Sequence, residues 1–143
     1  MQYAETTGMM LESQYAYKAV DGSCSAVSSS NKVTNVHEVA ANSGSALKSA
    51  IAQGPVSVTV DAESTPFMYY TSGIVDSSAG CGTSLDHAIT AVGYGSENGV
   101  EYYIIRNSWG SSWGESGYIR LAVEESGSGV CGIQQVSVWP DMA

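Results

Sequence analysis

Basic residues are scarce in this chain of 143 residues: Lys and Arg together number 5 against 14 Asp and Glu, for a formal net charge of −9. A surface of that sign repels phosphates, which excludes nucleic acid and anionic membrane surfaces as partners. Charge of either sign is sparse, at 13% of residues, and no apolar run approaches the ~20 residues that cross a bilayer. The opening stretch MQYAETTGMM has neither the basic start nor the apolar centre of a secretory signal, so the targeting and pro-segments of a secreted parent protein are expected upstream. There is no N-x-S/T acceptor, because Asn31, Asn35, Asn42, Asn98 and Asn107 are each followed by the wrong residue two places on. Cysteines number 3, an odd count that leaves at least one without a partner in the chain. Internal repeats, low-complexity tails and linkers are also missing.

What is present fits one globular domain with a real core: hydrophobic residues make up 43%, and abundant Gly and Ser favour a loop-rich β architecture over a helical bundle. Residues 1–8 read as the end of a helix closed by Gly8 in a left-handed conformation. A loop rich in Ser, Asn and Lys follows Cys24. The segment SGSALKSAIAQGP predicts a short helix, with a serine start, Ala46, Leu47, Ala50 and Ile51 at helical spacing, and a Gly54-Pro55 stop. From there the period becomes two. Val56, Val58 and Val60 alternate with small polar residues, and runs at 88–94, 101–107, 118–123 and 135–139 predict further strands separated by turn clusters such as SENG, in antiparallel hairpins. The pI of about 4.3 suits an acidic compartment, where self-repulsion among carboxylates falls.

Chemistry concentrates in LDHAITAVGYG and YYIIRNSWGSSWGESGYIRL, which embed His87 in one apolar alternating run and put Asn107 at the end of a second, ahead of Trp109 and Trp113. Alone, His87 reads as an ordinary half-buried strand histidine, and Asn107 as a turn cap before Ser108. Together these segments resemble the papain-like cysteine peptidases, the family of the cathepsins. The likeness extends to GMMLESQYAY before Cys24, to GPVSVTVDAESTPFMYYTSGIVDSSAGCG with its strand, short aromatic helix and cysteine, and to GVCGIQQVSVWP at the end, about residues 1–140 in all. The resemblance implies an α+β papain-like fold, with residues 1–25 as a remnant of the helical left-hand domain and 26–143 as the β-barrel-like right-hand domain. It implies His87 as acid/base, Asn107 as acceptor of the second ring N–H, and Trp109 as the cover over that bond. It further implies a disulfide between Cys81 and Cys131, with no metal and no other cofactor.

The family's nucleophile is expected in a C-G-S/A-C-W/Y setting some 130–150 residues before the histidine, which places it roughly 45 residues ahead of Met1. Cys24 is a poor substitute, since Ser25 stands where an aromatic is needed and only 63 positions separate it from His87. Its other readings are a half-cystine whose partner lies in the absent N-terminal part, and a free buried thiol. By the same resemblance Thr59 and Leu85 line the S2 pocket, Val136 forms its floor, and Asp86 lies near the S1′ side, where plain solubility is its alternative role. Small or apolar lining predicts an apolar P2 residue.

The expectation is therefore the His/Asn-bearing C-terminal two-thirds of a papain-type endopeptidase from a lysosome, vacuole or secretion, without its catalytic cysteine. Its partners would be peptide or protein substrates, cystatin-type inhibitors and the missing N-terminal segment. Two other readings are a non-catalytic homologue that binds or supports other proteins, and the free-standing partner of a separately encoded N-terminal chain.

Overall fold

A computed structural model describes residues 2–25 and 29–142; Met1 and part of the loop expected after Cys24 lie outside them. The chain forms two compact units, one of residues 1–37 with 140–143 and one of residues 38–139.

The smaller unit begins with helix α1 (Gln2–Thr6) and the strand β1 (Val33–Glu38) closes it. Gly8 follows the helix at φ 82°, in the left-handed conformation the sequence predicts. Met9 N–H donates to Asn31 O at 2.8 Å and the Asn31 amide returns to Met9 O, which fastens the segment after the helix to the one before β1. The strand β1 was not among the expected ones, because the alternation in VTNVHE is broken by polar residues and only Val33 is buried.

In the larger unit, Ser43 caps helix α2 (Gly44–Ile51), its hydroxyl accepting from Ala46 N–H, and Leu47, Ala50 and Ile51 face the core. Then come β2 (Val56–Val60), the one-turn helix α3 (Thr65–Met68) with Pro66 in its first turn, and the two-residue strand β3 (Ile74–Val75). The long strand β4 (His87–Glu97) and its successors β5 (Val100–Arg106) and β6 (Tyr118–Ala122) form an antiparallel meander. The last strand, β7 (Ser137–Met142), starts two residues later than the sequence pattern predicts and continues through Pro140 into the smaller unit, where β1 is its neighbour. Strand order in the larger unit is β7-β2-β4-β5-β6-β3. One pairing departs from the expected hairpins: β3 runs parallel to β6, which its short length and the intervening β4–β5 crossover allow.

The β4–β5 turn consists of Asn98 and Gly99, both at positive φ (52° and 82°), the two-residue geometry that matches the right-handed twist of the flanking strands. Val56, Val58, Val60, Phe67, Tyr103, Ile105, Ile119, Leu121 and Ile133 are fully shielded from solvent and make one core with α2. Burial at this level contributes about 1.5–3 kcal/mol per large side chain. The Tyr103 hydroxyl is satisfied inside that core by Gly44 O and Gln134 Oε1, and burial pushes its ionisation well above the ordinary tyrosine range.

Cys81 and Cys131 are disulfide-bonded across 50 positions, whereas Cys24 is a free thiol, exposed and not buried as one reading of the sequence had it. Closing a loop of that length removes unfolded-state entropy equivalent to about 4 kcal/mol. Non-reducing peptide mapping should therefore recover a Cys81–Cys131 linked peptide with Cys24 alkylatable. Cys81→Ser/Cys131→Ser should lower the unfolding free energy by about 4 kcal/mol in denaturant titration; a Cys24–Cys81 linked peptide would contradict the pairing.

Candidate active site

His87 opens β4 opposite Val60 of β2, and Asn107 is the residue after β5, so the sheet itself brings the two side chains to one edge. The His87 Nε2 lies 2.9 Å from Asn107 Oδ1. That oxygen also accepts the Ser108 backbone N–H at 2.7 Å. Asparagine thus does both things the sequence allowed: it caps the turn and it holds the imidazole. The second contact fixes the amide's orientation, since a flipped amide would set its NH2 against the Ser108 N–H. With an acceptor opposite Nε2, the neutral ring carries its proton there and leaves Nδ1 as the basic nitrogen. Asn107 is buried, and its Nδ2 has no hydrogen-bond partner among the described residues.

Aromatic rings enclose the pair. Trp109 stacks on the imidazole at 5.2 Å between centroids and 27° between planes, while remaining 40% exposed on its outer side. Phe67, from α3 and fully buried, meets His87 and Trp109 edge-on at 6.4 and 5.6 Å. Trp113 packs on Phe67 and Tyr70 and donates its indole N–H to Met68 O, the part-core role open to it from sequence. Phe67 is the chain's one phenylalanine, and nothing in its isolated position marked it as a neighbour of the imidazole.

The turn between Asn107 and β6 is held by charge. Arg120 makes a two-pronged contact with Glu115 at 2.8 Å on both prongs, reaches Glu97 at 3.0 Å and lies over the Tyr102 ring. Glu115 also receives the Gly73 N–H, and Asn107 N–H donates to Gly117 O. Gly114 is required within this turn at φ 55°, because a Cβ there would lie 2.8 Å from the Tyr70 ring.

The residues expected to select substrate lie nearby on different elements. Thr59 donates its hydroxyl to Val136 O at 3.1 Å, and Val136 is exposed. Leu85 is half-buried against Gly132, and Gln135 ties its loop through Thr83 O at 2.9 Å. Asp86 has an additional structural engagement: its carboxyl oxygens accept the N–H groups of Ala62 and Glu63 at 2.8 and 3.2 Å.

With this geometry in view, the comparisons are unambiguous about lineage. The model for the papain family of cysteine proteases matches residues 1–140, and the chain belongs to that family. Its α+β architecture is the papain fold. The cysteine proteinase RD21A of Arabidopsis thaliana is 48% identical over 130 residues, covering 88% of this chain and 28% of the relative. A KDEL-tailed cysteine endopeptidase, CEP2, of the same plant is 43% identical, covering 93% of this chain and 37% of the relative. Among solved structures, the bromelain protease of Ananas comosus in complex with the E64 inhibitor is 43% identical at a TM-score of 0.85, covering 92% of this chain and 62% of that one. The chain thus spans less than two fifths of these curated relatives.

The Arg120 contact holds the Glu115 carboxyl below its ordinary value of 4.5. A depressed folded-state pKa gives stability that is present above the unfolded value and lost as pH falls through the folded one. Glu115→Gln should therefore flatten the fall of Tm below about pH 4.5, read by thermal melts from pH 7 to 2; parallel melting curves for both proteins would refute it.

Proposed function

We propose that this chain is the histidine-bearing part of a papain-type cysteine endopeptidase with an apolar P2 preference. The observation that carries the reading is the imidazole with Nε2 committed to Asn107 and Nδ1 left basic, under a stacked tryptophan. In this reading a thiol gives its proton to His87 Nδ1, and the thiolate attacks the peptide carbonyl carbon. The imidazolium then returns that proton to the departing amine, leaving a thioester. Water, deprotonated by the same Nδ1, splits the thioester and restores the thiol.

The sulfur comes from polypeptide outside these 143 residues. Cys81 and Cys131 are bonded to each other, and Cys24 is followed by Ser25 in place of the signature's aromatic. Residues 1–25 are assigned to the helical left-hand domain and 26–143 to the β-rich right-hand one. Thr59, Leu85 and Val136 bound the P2 pocket, and Asp86 stands toward the leaving-group side. Peptides and cystatin-type inhibitors are the binding partners, the family's precedent being the E64-bound bromelain protease. The acidic charge balance and the KDEL-tailed relative support a vacuolar, lysosomal or secreted setting. A binding role without catalysis is the second reading, favoured by Leu11, Tyr15, Tyr17 and Val20, large apolar side chains exposed together in the smaller unit.

The purified chain should not cleave a fluorogenic peptide with Leu or Phe at P2. Mixing it with an N-terminal fragment bearing a C-G-S-C-W-like segment should restore turnover, and His87→Ala should abolish that turnover. Robust E64-sensitive cleavage by the chain alone would overturn the reading and point to Cys24. In the reconstituted enzyme, Val136→Glu should shift preference from Leu toward Arg at P2, since a floor carboxylate pairs with a basic side chain; an unchanged P2 profile would remove Val136 from the pocket.

A further inference from the structure

We infer that Asp61, working with Ser64, is a positioning residue for His87, an inference that rests on the peptidase reading for its purpose but not for its geometry. Asp61 is 93% shielded from solvent, immediately after β2, and among the described residues no Lys, Arg or His side chain pairs with it. Its two carboxyl oxygens each accept a backbone N–H from a different loop, Oδ1 from Ser64 at 3.1 Å and Oδ2 from Ser84 at 2.9 Å. Ser64 is the N-cap residue of α3, yet its hydroxyl does not cap the helix; it accepts the Gly82 N–H at 2.7 Å. The loop that carries α3, and with it Phe67, is thereby bolted to the 82–86 loop that delivers the chain into His87.

The fit around this bolt is close. A Cβ on Gly82 would collide with Asp61 Oδ2, so the loop passes directly over the carboxyl group. The Asp61 N–H donates to Cys131 O at 2.9 Å, which ties the bolt to the disulfide. The register Val60↔His87 fixes the backbone of the histidine, but its χ angles depend on Asn107 and on the rings of Phe67 and Trp109, which also touch each other at 5.6 Å. Phe67 is on the far side of the Asp61 bolt. The two N–H groups meet different oxygens of the one side chain, which a carboxyl group supplies; an amide in the same place keeps one acceptor and turns a donor against the other N–H.

The chain has two histidines, so the consequence can be read directly by NMR with His37 as internal reference. In the 143-residue protein, Asp61→Asn should raise the solvent exchange rate of the His87 ring Nε2–H at least tenfold, leaving the His37 ring signals unchanged. Ile51→Val, a core truncation in α2 away from both loops, serves as the control for general loss of stability. At matched distance below Tm it should leave His87 exchange as in the parent. Ser64→Ala, which removes only the Gly82 link, should give a smaller increase and decides the matter where Asp61→Asn is unfolded. Exchange unchanged in Ser64→Ala, or raised equally in Asp61→Asn and Ile51→Val, would overturn the inference. Failure of the reconstituted peptidase assay alone would instead count against the peptidase reading and leave this result standing.

Discussion

Everything at the histidine edge hangs on the position of β4 between β2 and β5. Backbone hydrogen bonds on both sides set its height relative to its neighbours, and because side chains alternate with period two, a slip of one residue would turn His87 to the opposite face. The bulge between Ala91 and Gly93 shifts the β4–β5 register by one in mid-strand. The stretch near Thr90↔Arg106 and the hairpin end near Glu97↔Val100 are therefore offset, and the former brings His87 and Asn107 together.

Where the ladder ends, the loops need other acceptors for their N–H groups, and the chain supplies them mainly with carboxyl oxygens. Asp61 and Asp86 between them receive four backbone N–H groups from residues 62, 63, 64 and 84. Each carboxyl reaches from one loop to the other, so the two crossings brace the loops like opposed struts. In a chain with so few cations, these acidic residues are consumed by backbone donors more than by ion pairs. Ion pairs take other carboxylates, and in the turn after Asn107 one guanidinium with a fixed fork holds two of them beside Trp113, which packs on Phe67 and Tyr70.

Much of this was legible before any coordinates. The alternating runs gave away β2, β4, β5 and β6, because each buries one face and exposes the other, and the Ser43 and Gly54-Pro55 signals bounded α2 to within a few residues. His87 and Asn107 could be named as candidates because one stands at the start of β4 and the other directly after β5, each within a specific motif. Strand β1 was invisible, since its partner supplies the pairing and its own sequence buries almost nothing. Asp61 is not legible in this way, because a buried acid looks, in sequence, like any exposed loop aspartate. The one available signal was its place directly after Val56, Val58 and Val60, with a serine three residues on, the spacing by which a carboxyl receives a local N–H.

Asn107 shows what the site tolerates to keep its chemistry. Its buried Nδ2 has no hydrogen-bond partner among the described residues, and an aspartate would carry no such donor while still accepting from His87 and Ser108. An aspartate would also place a full negative charge 2.9 Å from the ring nitrogen, favouring the imidazolium over the neutral base. In the proposed reaction, a ring that takes a proton from a thiol and later surrenders it to an amine is best served by an acceptor that orients without over-stabilising the charged form. The neutral amide does that, and Trp109, stacked on the imidazole, limits the access of water that would otherwise compete for the same hydrogen bond.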